Sequence, residues 1–431
     1  MGLVDLRGVS MDSPKTPLYP FTPLPVLFLY NPSMPLATVR LKPREDRRVR
    51  AGHLWIYSNE IDCQATPLTA LQPGELVCIE SARGRALGVG YANPQSLISV
   101  RILSSDHRTL VDREFLRRRI ESALAWRECF NREPFYRLVF GEADGLPGLV
   151  VDRYDKVLVV QMTTAGMETL KPLVIEALDA VLHPASILLR NDTSSRALEG
   201  LSSYVEAGLG EPPAEVVVVE GSCRFHVSLK DGQKTGWFYD QRPNRMRLVP
   251  YVSRRRVLDV FSYVGGFGIQ AARHGADHVT FVDGSERAVA YILENAAENG
   301  VAERIETRPG DAFGVLKDLR DEGARFDVVV LDPPALIKRR KDYEAGLAAY
   351  QRLNQAALAL LTDNGLLLSA SCSHHLERQT LPRLIVESAR RLGRGVSLVE
   401  EGGQGPDHPI HPAMPETAYL KVVMARAFIN Q

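Results

Sequence analysis

Cysteine is scarce: Cys63, Cys78, Cys129, Cys223 and Cys372 are scattered along 431 residues with no C-x-x-C pair. So odd and sparse a set excludes a disulfide framework and the usual zinc spacings, and reads as reduced thiols of a cytoplasmic protein. Long apolar runs are also missing. Runs such as Val328–Leu331 and Leu366–Leu368 are short, far below the roughly 20 residues that cross a bilayer. Net charge is missing as well, with 52 Lys and Arg against 52 Asp and Glu, which weighs against a uniformly basic, nucleic-acid-coating surface. No G-x-x-x-x-G-K-[ST] occurs, so there is no P-loop. A secretory leader is not expected, because Asp5 and Asp12 come early and Pro20, Pro23 and Pro25 interrupt the only apolar stretch.

What is present divides into four regions. Seven of the 27 prolines fall within the first 35 residues, so residues 1–36 read as an extended, poorly ordered tail. Residues 37–110 hold short alternating runs separated by Gly and Pro turns, the pattern of a small β-barrel. Residues 111–225 open with a helical pattern through Phe115, Ile120 and Leu124 and continue as a small α+β unit. That unit has strands at Val157–Met162, Ile187–Arg190 and Val216–Glu220 and a helix over Met167–Leu182. From residue 226 to 431 the rhythm becomes βαβα, with near-continuous apolar strands such as Phe326–Asp332. This is the signature of a mostly parallel sheet covered by helices on both faces.

In such a sheet the ligand lies outside the carboxyl ends of the strands, and each of those ends carries a marker. The first runs Asp259-Val260-Phe261-Ser262-Tyr263-Val264-Gly265-Gly266-Phe267-Gly268, where glycines let backbone approach a ligand closely. Phe261, Ser262, Tyr263, Gly265 and Gly266 are therefore cofactor-site candidates. The second ends in Asp283-Gly284-Ser285, and Asp283 lies 24 residues after Asp259, where a carboxylate can take both hydroxyls of a ribose. Asp311-Ala312 follows the third strand and can accept from an adenine amino group. The fourth ends in Asp332-Pro333-Pro334 and the fifth in Ser371-Cys372-Ser373. A nicotinamide enzyme would share the glycine loop and the acid, but would usually show a tighter G-x-G-x-x-G.

These five markers in order resemble a class I S-adenosylmethionine-dependent methyltransferase. The wider set of motifs resembles the bacterial ribosomal RNA large subunit methyltransferase I family. It includes Gly52-His53-Leu54-Trp55-Ile56-Tyr57-Ser58-Asn59-Glu60, Phe140-Gly141-Glu142-Ala143-Asp144-Gly145-Leu146-Pro147-Gly148-Leu149 and Lys234-Thr235-Gly236-Trp237-Phe238-Tyr239-Asp240-Gln241-Arg242. Asp407-His408-Pro409 and Pro415-Glu416-Thr417-Ala418-Tyr419-Leu420-Lys421 complete it. The resemblance implies a PUA domain, a central α+β domain and a Rossmann-like domain with a seven-stranded sheet. It further implies S-adenosylmethionine as cofactor, S-adenosylhomocysteine as product and 23S rRNA as substrate. Asp240, Gln241 and Arg242 would close the cofactor pocket. A homodimer is one of the oligomeric states left open.

Chemistry assigns the remaining roles. Carbon 5 of cytosine is a poor nucleophile until a thiolate adds at carbon 6, so one reactive cysteine is required beside the methyl donor. Cys372 is the only cysteine at an expected strand end, and Asp332 would hydrogen-bond the base. Inert burial is the competing reading for Cys372, and a strand-ending turn for Asp332. A methyltransferase of an exocyclic amine is the alternative reaction, which Ala335 after the two prolines disfavours. An RNA-binding assembly factor without catalysis is the alternative class. Arg40, Lys42, Arg44 and Arg47, with Lys338 and Arg339, are candidate RNA contacts. The neutral total is then a sum: residues 38–110 carry ten Lys and Arg against seven Asp and Glu, while several acids belong to the proposed pocket. The pairs His374/His375 and His408/His411 lack zinc spacing, and no metal is expected.

Overall fold

The alternation of apolar and polar residues in the first region yields five short strands. They are β1 (Ala37–Arg40), β2 (Trp55–Tyr57), β3 (Leu76–Glu80), β4 (Ala86–Ala92) and β5 (Ile98–Ser104). In the computed structural model, which describes residues 36–429 apart from 231 and 234, they form one sheet in the order β1-β3-β4-β5-β2. Their inward residues, Val39, Ile56, Val77, Ile79 and Val100, share one core. The short helix α1 (Asp46–Arg50) lies between β1 and β2 and buries no residue. The tail expected over residues 1–36 lies outside the described residues but for its last position, and so does Lys234.

Asp112 caps α2 (Arg113–Glu128) by accepting the Phe115 N–H at 2.8 Å. A second sheet then holds β6 (Phe135–Phe140), β7 (Leu149–Tyr154), β8 (Val157–Met162), β9 (Ser186–Asn191) and β10 (Tyr204–Leu209), in the order β10-β9-β8-β7-β6. Only β8 and β9 pair in parallel; the helical crossover between them permits this. The single helix expected over Met167–Leu182 is two, α3 (Ala165–Thr169) and α4 (Lys171–Leu182). Pro172 explains the break: it lacks an N–H and suits the first turn of a new helix. Val216–Glu220, expected in this unit, lies instead in a separate hairpin of β11 (Glu215–Glu220) and β12 (Cys223–Ser228). Val218, Phe225 and Val227 of the hairpin share a core with Phe135 and Tyr154 on one side and Val257 and Phe267 on the other. The hairpin thus fills the seam between two sheets.

The third sheet is built from α5 (Arg242–Leu248), β13 (Arg256–Val260), α6 (Gly266–Arg273), β14 (His278–Asp283), α7 (Glu286–Glu298), β15 (Ile305–Pro309), α8 (Ala312–Asp321), β16 (Phe326–Leu331), α9 (Tyr343–Leu360), β17 (Leu361–Ser371), α10 (Thr380–Arg391), β18 (Arg394–Gly402) and β19 (Lys421–Ile429). The strand order is β15-β14-β13-β16-β17-β19-β18, and β19 alone runs antiparallel to its neighbours' direction of β17 and β18. Side chains of β13 alternate between two cores: Val257 joins residues of α5, α6 and α7, while Leu258 and Val260 join those of α8, α9 and α10. The order reverses between β13 and β16, which opens a crevice at their carboxyl ends. This is the mostly parallel sheet that the βα rhythm implies, and the Rossmann-like, seven-stranded form that the family resemblance implies. Among the described residues no helix is long and apolar enough to cross a membrane.

Candidate active site

Asp259 sits inside β13 at 1% exposure. Its Oδ2 accepts the Gly268 N–H at 2.8 Å, and its Oδ1 has no hydrogen-bond partner among the described residues. Burial pushes the carboxyl up to about 7; the Gly268 bond opposes this, and the charges of Asp332 and Asp283 add to it. A buried carboxylate with one unmet oxygen is the local deficit that a ligand cation would fill.

The loop after β13 is held in an unusual backbone conformation. Phe261 has φ +65°, Tyr263 +49° and Gly265 +90°, and left-handed non-glycine residues cost of order 1–3 kcal/mol each. Cross-strand bonds hold it: Phe261 and Ser262 both donate to the Val282 carbonyl at 2.9 and 3.2 Å, and Tyr263 N–H donates to Asp283 Oδ2 at 2.8 Å. At Gly268 a Cβ would lie 2.2 Å from the Phe281 ring, so no other residue fits there without displacing it. α6 begins at Gly266, inside the glycine-rich run itself.

Asp283 accepts the Ser285 N–H through Oδ1 at 2.9 Å, leaving lone pairs on both oxygens for ligand hydroxyls. Ser285 caps α7 through the Ala288 N–H at 3.3 Å, next to the exposed Gly284. Asp311 caps α8 through the Gly314 N–H at 3.1 Å, and Ala312 is buried as the first residue of that helix. Ser285 and Asp311 thus each serve the fold locally, whatever else they touch.

The turn before α5 sends its residues to different places. Gln241 donates through Nε2 to Asp332 Oδ1 at 2.8 Å and is itself fixed by Asn244 Nδ2 at 2.7 Å. Asp240 accepts the Tyr419 hydroxyl, and its carbonyl takes the Gly405 N–H at 3.0 Å. Arg242, expected beside the cofactor, is committed elsewhere. Its guanidinium bonds Asn131 Oδ1 at 2.7 Å, the Phe135 carbonyl, and Glu220 Oε2 at 3.4 Å, so it ties the second sheet to the third. Glu220 also forms a buried pair with Arg245 at 2.6 Å, under the Trp237 ring. Sequence reading missed that pair because its partners are 25 residues apart with no local pattern.

At the end of β17, Ser371 and Ser373 both turn to the Tyr350 hydroxyl of α9, at 2.8 and 2.9 Å. Ser373 Oγ also accepts the Ile337 N–H at 3.0 Å, tying the loop after Asp332 to this strand end. Side chains alternate along a strand, so half-buried Cys372 faces the other way; its Sγ lies 3.9 Å from the Pro333 carbonyl. Asp332 and Cys372, 40 residues apart in the chain, thereby flank one loop. The structure brings together Asp259, the glycine loop, Asp283, Asp332, Gln241 and Cys372 at the carboxyl edge of the sheet.

Of the basic candidates, Lys42, Arg44, Arg47, Lys338 and Arg339 are exposed. Arg40 is not free: it pairs with Glu80 at 3.1 Å. Arg339 pairs with Asp342 at 3.0 Å on the surface, where such a bond is weak. His408 is buried, bonded to Asp407 at 2.9 Å and packed on Phe140. Asp407 in turn accepts the Arg137 N–H at 3.1 Å, so this motif seals a domain contact. No group of three or more His, Cys, Asp or Glu side chains able to hold a metal occurs among the described residues. A concavity of about 640 Å³ lies away from Cys372, between the first sheet, α2 and the loop carrying Glu142, with Arg119 and Trp126 in its wall.

Comparison with known proteins agrees with this architecture. The PUA-like domain family matches residues 39–105, and the family described as conserved hypothetical protein 95 matches residues 246–378. Ribosomal RNA large subunit methyltransferase I of Shewanella denitrificans is 36% identical over 395 residues, covering 90% of this chain and 99% of its own. Its counterpart in Photobacterium profundum is 33% identical over 389 residues, covering 89% and 98%. Among solved structures, one described as a methyltransferase complexed with SAH has a TM-score of 0.77 at 20% identity, over 91% of this chain and all (100%) of that one. A chain from Streptococcus mutans, described as a SAM-dependent methyltransferase, has a TM-score of 0.76 at 19% identity, with the same coverage of 91% and 100%. At such identities the structural likeness speaks for the fold.

Proposed function

The chain belongs to the ribosomal RNA large subunit methyltransferase I family, and on that premise we propose that it makes 5-methylcytosine in 23S rRNA through a covalent bond from Cys372. Its reaction is methyl transfer to large-subunit ribosomal RNA, with S-adenosylmethionine as donor. The observation that carries the cytosine reading is the placement of Cys372. The thiol stands half-buried at a strand end, beside the Asp332–Pro334 turn.

The residues fit the donor. The unmet Oδ1 of Asp259 suits an ammonium, and Asp283 has acceptor capacity for ribose hydroxyls. When bound, S-adenosylmethionine supplies an electrophilic methyl group on a sulfonium, and an activated carbon 5 takes it. Cys372 provides the activation: its thiolate forms the Sγ–carbon 6 bond and pushes the displaced electron pair toward carbon 5. Asp332, braced by Gln241, accepts a hydrogen bond from the base and holds the activated ring in place. Solvent water then takes the carbon 5 proton, the freed C–H electron pair restores the carbon 5–carbon 6 double bond, and the Sγ–carbon 6 bond breaks to release Cys372 as the thiolate. Exposed Lys42, Arg44, Arg47, Lys338 and Arg339 supply phosphate contacts, which add affinity without reading sequence. A target in structured RNA must leave its stack, at a cost of a few kcal/mol.

The direct test is incubation of the enzyme and donor with rRNA fragments containing 5-azacytosine. That base has no carbon 5 proton to lose, so a covalent protein–RNA adduct should accumulate and survive denaturing electrophoresis. Absence of an adduct, with methyl groups mapping to an exocyclic amine, would overturn the cytosine reading.

Asp259 makes the donor site pH-dependent. Its unfolded carboxyl ionises near 3.8 and its folded one near 7. Between those values the folded state alone holds the proton, so stability falls as pH rises from about 4 to 7 and stays reduced above that. The ligand-free protein should therefore lose of order 2 kcal/mol between pH 5 and 8 through this group, and Asp259→Asn should lack that loss. A ligand ammonium needs the charged carboxylate, so S-adenosylhomocysteine should bind about tenfold more tightly at pH 8 than at pH 6. Calorimetry of both proteins across that range checks it; a flat wild-type profile would remove Asp259 from the donor site.

A further inference from the structure

Lys421 opens β19, a strand that continues Val-Val-Met-Ala, and it is only 6% exposed. An ammonium so placed is costly unless something nearby is negative or accepts hydrogen bonds. The antiparallel register sets Lys421 opposite Ser371, the residue before Cys372. Its Nζ donates to the Ser373 carbonyl at 2.7 Å and to the Tyr419 carbonyl at 3.0 Å. The ammonium therefore hangs from the residue that follows Cys372, with a third N–H still to give. No carboxylate pairs with it within 4.0 Å among the described residues.

We propose that Lys421 is a positioning residue whose ammonium holds Cys372 in the thiolate form. The proposal rests on the reading of Cys372 as nucleophile and adds the group that activates it. A cation beside a thiol favours the thiolate, and reactive cysteines sit in such electropositive, partly exposed places. The effect is mutual: burial lowers the Lys421 pKa to about 8, and the charge of Cys372 acts in the opposite direction to keep the ammonium.

Other groups around the thiol do not do this work. Tyr350 of α9 is engaged with Ser371 and Ser373. His374 follows Cys372 directly, and burial, then His375 and Lys421, lower its pKa, so it stays neutral near pH 7; Glu416, from the loop before β19, pulls the other way. Arg378 is turned to the Gly402 carbonyl at 3.2 Å and to Glu401 at 3.6 Å. Asp332, at the end of β16, is an anion and opposes the thiolate. Lys421 is the cation tied to the Cys372 backbone turn.

Alkylation tests this in the full-length protein without RNA or donor. Iodoacetamide reacts with thiolates, so rates are followed from pH 5.5 to 9.5, with peptide mass spectrometry separating Cys372 from exposed Cys63 and Cys129. In wild type, the Cys372 midpoint should lie below that of Cys63. In Lys421→Met it should rise by at least one pH unit, and in Lys421→Arg it should stay near the wild-type value. A wild-type midpoint at or above that of Cys63 would overturn the proposal even if neither variant folds. A folded Lys421→Met with the wild-type profile would overturn it too. A role confined to bracing the turn would change stability without moving this midpoint. Because no RNA takes part, failure here is separable from failure of the cytosine reading, which the azacytosine adduct decides.

Discussion

Cys372→Ala is expected to reduce methyl transfer to large-subunit rRNA by about 10⁴-fold or more, the scale of losing a covalent nucleophile. Without the thiolate, carbon 5 of cytosine stays a poor nucleophile and the methyl group finds no acceptor. The fold should hardly notice. Cys372 is half-buried, and its Sγ lies 3.9 Å from the Pro333 carbonyl. Ser371 and Ser373, which anchor the strand end to Tyr350, remain. Stability should change by no more than about 1 kcal/mol, and donor and RNA affinities should stay near wild type. Single-turnover assays with labelled donor, alongside thermal melts, measure both quantities. Retention of activity within tenfold of wild type would end the covalent mechanism.

Asp332→Asn is expected to lower the transfer rate by about 10²–10³-fold, the range for losing one preorganised hydrogen-bonding group at a reacting centre. The substitution keeps the shape but removes a charge and an acceptor. The remaining amide oxygen must serve either Gln241 Nε2, which now bonds Asp332 at 2.8 Å, or the base. A second consequence separates this from simple misfolding. The Asp332 charge is one cause of the raised Asp259 pKa, so the variant should move the pH dependence of S-adenosylhomocysteine binding to lower pH. Calorimetric titrations in parallel with rate measurements test the pair of effects. A rate loss without that move would place Asp332 away from the donor pocket, and an unchanged rate would dismiss its role on the base.

How far this was legible from sequence varies by element. β8 coincides with the expected Val157–Met162, and β14 ends at the expected Asp283, because short apolar runs bounded by turns leave little choice of conformation. The strand-end markers were legible for the same reason: an acid or glycine directly after such a run lies at the edge of a parallel sheet. Trp55–Tyr57 was not seen as a strand, being three residues long and defined mainly by its pairing with β5. Arg242 read as a pocket residue because it adjoins Asp240 and Gln241. The direction of its side chain depends on Glu220, Asn131 and Phe135, which no local pattern links to it.

The sequence by itself determined most of the longer secondary-structure elements, the α/β class, the order of polar markers along the third domain and the one cysteine able to lie among them. Those properties follow from residue periodicity and local sterics. Only the tertiary structure decided that β16 packs beside β13, that β19 folds back between β17 and β18, and hence that Asp332, Cys372 and Lys421 lie at the ends of neighbouring strands. Which strand pairs with which depends on the apolar faces of whole helices and strands being buried together, a long-range property that a periodic pattern leaves open.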